Sequence, residues 1–112
     1  MQVSGGFKPA CKVWLEKDGA VFGEGLYNLL LNIEGAGSIA GAASKMGMSY
    51  RAAWGKIRMA EKKWNLQLVS TQVGGEAGGG TLLTGEAREL LEKFRELRDD
   101  AGSMVIRLYT SW

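Results

Sequence analysis

The sequence contains no histidine and one cysteine, and it holds nothing like the run of about eighteen apolar residues that a membrane-spanning helix needs. The lack of histidine excludes a His-dependent catalytic triad and, with a single cysteine, a zinc site. Cys11 has no partner for an internal disulfide and is expected to be a small core residue. The opening segment MQVSGGFKPACK has no apolar centre of the kind a signal peptide carries, so the expected compartment is the cytoplasm, with no membrane partner. At 112 residues and 46% hydrophobic content, the chain is expected to be one domain with a modest core, folding alone or as a dimer.

The formal net charge of +2 says little until it is divided along the chain. Residues 1–37 carry three basic and four acidic side chains, residues 38–76 six and two, and residues 77–112 five and six. The positive excess sits in the middle third, where a polyanion would dock; a plain solvated helix face is the alternative.

That middle third opens with Gly37 to Met59, GSIAGAASKMGMSYRAAWGKIRM, which reads as two short helices meeting at a tight turn. Ser38 is placed to cap the first, and Ile39, Ala42, Ala43 and Met46 follow at the spacing of one buried helical face. Gly47 supplies the left-handed residue that ends it, and Ser49 caps a second helix reaching about Trp64. Small alanines let the two helices cross closely, as a helix-turn-helix requires. At 100° per residue, Tyr50, Ala53, Trp54, Ile57 and Trp64 fall on one side, expected to be core. The opposite arc holds Arg51, Ala52, Gly55, Met59, Lys62 and Lys63, flanked by Lys56 and Arg58.

A recognition helix reads base edges with its first turns and meets phosphates further along. Ser49, Arg51, Ala52, Gly55 and Lys56 are therefore the candidates for bases, and Lys45, Lys56, Lys62 and Lys63 for phosphates. Arg51 matters most, because a guanidinium can give guanine two parallel hydrogen bonds. Gly55 either permits close approach or is a neutral exposed position.

Around this centre the chain divides readily. Residues 1–9 are expected to be a mobile tail. Cys11 to Glu16 alternate as a half-buried strand, Asp18-Gly19 marks a two-residue hairpin turn, and Ala20 to Phe22 returns. A helix from about Glu24 to Glu34 follows, with Leu26, Leu29, Leu30 and Ile33 as its apolar stripe. Phe22-Gly23-Glu24-Gly25 is half of a dinucleotide fingerprint, yet Asn28 stands at the third glycine and no parallel strand follows, so no nucleotide cofactor is expected. Leu66 to Val73 and Thr81 to Thr84 read as the strands of a wing around the tip Gly74 to Gly80. That tip either orders on a partner, its backbone amides approaching phosphates, or is a plain mobile hairpin end. Thr84 caps a last helix over residues 85–100, with Ala87, Leu90, Leu91, Phe94 and Leu97 on one face. The pattern fades at Asp99 to Ser103, and the apolar segment Met104 to Tyr109 is expected to be buried against the body or against a second copy.

The set Gly37-Ser38-Ile39 with Ala42-Ala43, Gly47-Met48-Ser49-Tyr50-Arg51 with Ala53-Trp54, Leu68-Val69, Gly74-Gly75 with Gly78-Gly79-Gly80, and Leu83-Thr84 resembles the DNA-binding domain of the ModE family of molybdate-responsive regulators. The similarity runs from about Phe22 to Leu97. It implies a winged helix related to the LysR-type DNA-binding domain, a homodimer, Ser38 and the stretch from Ser49 through Tyr50 to Lys56 at double-stranded DNA, and the wing glycines Gly75, Gly78 and Gly79 beside it. Full-length regulators of this type carry a C-terminal oxyanion-binding part for which the residues after Leu97 are too few, so direct molybdate binding is not expected. The family more often has larger polar residues at Ala52 and Gly55, so the bases are expected to be read differently or more weakly. Glu76-Ala77 stands where the family's wing has a lysine.

The expected fold is α+β, a winged helix-turn-helix with an N-terminal strand or hairpin and a C-terminal helix. The expected function is sequence-specific binding of double-stranded DNA as a homodimeric transcriptional regulator, with no cofactor and no metal. The alternatives are a protein–protein interaction module and a non-specific architectural DNA binder. An enzyme is not expected, since no activated nucleophile is evident.

Overall fold

Asp18 and Gly19 both adopt positive φ, 51° and 81°, the backbone pair that lets two strands turn back with only two residues between them. They join β1 (Leu15–Lys17) to β2 (Ala20–Phe22), with Leu15 opposite Phe22 and Lys17 opposite Ala20. The structure, a computed structural model, describes residues 4–72 and 80–111. The start of the tail expected at 1–9 and the wing positions Gly75, Gly78 and Gly79 lie outside the described residues.

The first strand is shorter than its alternation suggests, and Cys11 is exposed rather than in the core. The cause is its partner. β2 ends at Phe22 because Gly23 already caps α1 (Glu24–Ala36), so nothing is left to pair with residues before Leu15. Val13 and Leu15 still lean on the core as the alternation requires.

α1 supplies the centre of the molecule, burying Leu26, Tyr27, Leu29, Leu30 and Ile33. It stops at Gly37, whose φ of 75° turns the chain while its amide bonds the Ile33 carbonyl at 2.8 Å. α2 (Ile39–Lys45) and α3 (Tyr50–Trp64) follow, then the wing strands β3 (Val69–Gln72) and β4 (Gly80–Leu83), which pair antiparallel from Val69–Leu83 to Gln72–Gly80. Phe22 joins hairpin to helices, its ring 5.2 Å from Phe94 edge-on and 6.2 Å from Trp64.

The last helix, α4 (Gly85–Thr110), corrects the boundary read from the sequence: it does not end near residue 100 but continues through Gly102 and Ser103 to Thr110. A single internal glycine costs about 1 kcal/mol in a helix, too little by itself to break one of 26 residues. Its first half packs through Ala87, Leu91 and Phe94. No residue beyond Phe94 is buried in this helix, so of the two coverings expected for the apolar segment Met104 to Tyr109, the body of the domain or a second copy, the body does not supply one: Met104 is 47% and Leu108 52% exposed.

Candidate nucleic-acid interface

The interface begins with two capped helix starts. Ser38 Oγ accepts the Gly41 amide at 3.0 Å, and Ser49 Oγ accepts the Ala52 amide at 3.0 Å. Both caps fall where the residue order places them, because a short side chain with an acceptor oxygen satisfies an amide that the helix leaves free. Between them Gly47, at φ 66°, makes the turn, and the Met48 amide returns to the Ala43 carbonyl at 3.0 Å.

α3 is held by Ala53, Ile57, Ala60 and Trp64, all buried. Two of the positions expected in its core differ. Tyr50 is 52% exposed, since it opens the helix before the packed face begins, and Trp54 is half-buried with the Arg58 guanidinium 5.4 Å above its ring. Ala60 takes the remaining place against the core.

The rest of the helix faces solvent. Lys45, Ser49, Tyr50, Arg51, Ala52, Gly55, Lys56, Lys62 and Lys63 are exposed, while Ser38 is half-buried. A Cβ added at Gly55 would meet nothing within 4 Å, so the outer surface of the helix is open there. Arg51, Ala52, Gly55 and Lys56 thus form one projecting ridge, which can lie in a groove of another molecule while the cations around it meet negative charge. Among the described residues, none of these lysines nor Arg51 takes part in an ion pair.

Two ties that periodicity does not reveal fix the flanks of this ridge. Glu61, in the last turn of α3, accepts the amides of Leu68 at 2.8 Å and Val69 at 3.3 Å, and so sets where the wing begins. At the other flank, Trp64 Nε1 donates to the Lys17 carbonyl at 2.8 Å, fastening the β1–β2 hairpin to the same helix. The wing is also tied to the helix-turn-helix. Thr81 donates its amide to the Gly37 carbonyl at 2.9 Å, and a Cβ at Gly80 would sit only 3.2 Å from that oxygen, so the close approach suits glycine. Among the described residues no group of three histidine, cysteine or carboxylate side chains is placed to hold a metal ion, and no helix is long and apolar enough to cross a membrane.

No protein-family model matches the chain. It is 46% identical over 72 residues to the "Molybdenum transport protein ModE" of Herbaspirillum seropedicae, a stretch covering 64% of this chain and 27% of that protein. Against the "Molybdenum-pterin-binding protein MopB" of Rhodobacter capsulatus the identity is 37% over 82 residues, covering 73% and 30%. Against the "Transcriptional regulator ModE" of Haemophilus influenzae it is 38% over 66 residues, covering 59% and 26%. The matches therefore span less than a third of the length of these curated relatives. Among solved structures, the chain is similar to the protein in the crystal structure of a CbnR_DBD–DNA complex, with a TM-score of 0.56 over 77% of this chain and 93% of that one; at 20% identity the likeness is one of fold. Its capped helix pair and wing strands make a winged helix-turn-helix fold, and over that part the chain is similar to ModE-type regulators.

Proposed function

We propose that this chain is the DNA-reading part of a cytoplasmic transcriptional regulator, which lays α3 in the major groove of double-stranded DNA. The observation that carries the reading is the ridge itself: Ser49-capped, anchored by four buried residues, and projecting Arg51, Ala52, Gly55 and Lys56, with neither Arg51 nor Lys56 ion-paired among the described residues. Arg51 is the group for a guanine edge, and Lys45, Lys56, Lys62 and Lys63 neutralise phosphates. The relatives' names support molybdenum-linked genes as the targets. No molybdate site and no catalytic step is assigned to these residues.

A homodimer completes the reading. Leu97, Ala101, Met104 and Leu108 follow one another at intervals of four, three and four along the free half of α4, the spacing of a helix–helix seam. Two copies related by a two-fold axis would cover that stripe and present two ridges to two half-sites. Four phosphates neutralised per subunit correspond to a log–log salt slope of roughly −3 to −4 per bound subunit. Titration of a duplex at several salt concentrations tests this, and a flat salt response removes the phosphate assignment. The lack of polar side-chain atoms at Ala52 and Gly55 supports a second reading, a non-specific architectural binder, which the same titration separates by comparing palindromic with random duplexes.

A further inference from the structure

On the hairpin side of α3 lies an open groove of about 510 Å³, walled by Val21, Gly23 and Gly25 on one side and by Gly55, Lys56 and Met59 on the other. We propose that this groove is a second DNA track, holding the sugar–phosphate strand that borders the major groove on that side, so that the β1–β2 hairpin works as a second wing. The proposal rests on the DNA-reading assignment and adds a site to it.

Position is the first argument. A helix lying in the major groove has a phosphate strand along each flank. On one flank of α3, Arg58 and Lys62 stand beside Leu66 and Gln67, which lead into the wing. On the other flank there is no wing but the hairpin, and the groove opens directly beside Gly55 on the projecting ridge. The hairpin is fixed in place there by the Trp64–Lys17 hydrogen bond.

Charge and shape give the second argument. Lys56 lines the groove, and Lys63 Nζ lies 3.7 Å from where a Gly19 Cβ would be, so one cation stands on the wall and another beside the hairpin turn. Neither is ion-paired among the described residues; of the carboxylates on this side, Glu24 pairs with Arg98 at 3.6 Å and Glu16 accepts from Trp14 Nε1 at 3.1 Å, while Asp18 stands exposed in the hairpin turn. Val21 and Met59 are 52% and 65% exposed, apolar surface set next to lysine. A backbone strand offers that pairing, with deoxyribose carbons for the apolar atoms and phosphate for the ammonium groups. Gly25 and Gly55 leave the space free, since a Cβ at either would meet nothing within 4 Å.

Gly25 provides the test because its side of the groove can be filled without disturbing the fold. Gly25→Glu, Gly25→Lys and, one turn along α1 and outside the groove walls, Asn28→Glu are compared with the parent by duplex titration at two salt concentrations and by thermal melting. The glycine replacements favour the helix, so melting temperatures are expected to be unchanged or raised. Gly25→Glu is expected to weaken binding about tenfold; Gly25→Lys is expected to tighten it and to steepen the salt slope by about one. Asn28→Glu is expected to stay within about twofold of the parent, although it adds the same charge as Gly25→Glu. If the parent binds and both Gly25 variants match it, or shift affinity in the same direction, the groove carries no DNA strand and only this inference falls. If the parent binds no duplex at low salt, the DNA-reading assignment falls and takes the second track with it.

Discussion

Glu61 holds the amide of Leu68 at 2.8 Å, so the helix that carries the exposed ridge and the strand that starts the wing meet through one carboxylate. Leu68 is fully buried, and Val69 beside it shares the same oxygen at 3.3 Å. Leaving buried amides without an acceptor costs about 1–3 kcal/mol. Glu61→Ala is expected to lose stability in that range in urea denaturation, and Glu61→Gln, which keeps an acceptor oxygen, to lose less. An unchanged midpoint for the alanine variant would mean that the carboxylate does not hold the wing.

Two glycines in the helix-turn-helix are expected to respond to alanine in opposite directions. Gly47 sits at φ 66°, where a Cβ is strained by roughly 1–2 kcal/mol. Gly55 has ordinary helical geometry and open space around it, so Gly55→Ala is expected to gain about 1 kcal/mol. Shifts of the same sign in a shared denaturation series would contradict the assigned backbone conformations.

The caps were legible in the sequence because they are local: Ser38, Ser49 and Thr84 each bond an amide three residues on, and a pattern of residue types records that directly. The Asp18-Gly19 turn and the stripe of α1 were legible for the same reason. What escaped depended on distant partners. The strand before Leu15 stops because β2 runs out at Phe22, and Cys11 is left exposed as a result. The hydrogen bond from Trp64 to Lys17 spans 47 residues and has no local signature. The end of α4 is not legible because Asp99 to Ser103 is weak in helix formers, while the chain on both sides keeps the helix intact. Of the site, the outward arc of α3 was readable from its period, apart from Tyr50 and Trp54 at its margin.

The free half of α4 predicts the state of assembly. Met104→Glu combined with Leu108→Glu places two carboxylates on the stripe without touching the buried residues Ala87, Leu91 and Phe94. Sedimentation velocity is expected to show a dimer for the parent and, at equal concentration, a folded monomer for the double variant, with helical circular dichroism retained. A parent that sediments as a monomer at all concentrations would remove the two-fold arrangement.

Losing the Ser49 hydroxyl tests whether the start of α3 is stable without a cap. Ser49→Ala removes the acceptor for the Ala52 amide and is expected to cost about 1 kcal/mol. Ser49→Asp restores an acceptor and is expected to recover stability while weakening duplex binding, because it brings a carboxylate to the ridge. Recovery of both together would place Ser49 away from the bound strand.

The central claim is that α3 reads sequence through Arg51, and the most direct measurement is fluorescence anisotropy of Arg51→Ala and parent protein on a palindromic ModE-like duplex and on a random duplex. A bidentate contact to guanine contributes about 1–3 kcal/mol of discrimination, or roughly 5- to 150-fold. The account predicts a loss of that size on the palindrome and a much smaller one on the random duplex. Equal losses on both would make Arg51 a phosphate contact and would contradict sequence reading by this helix.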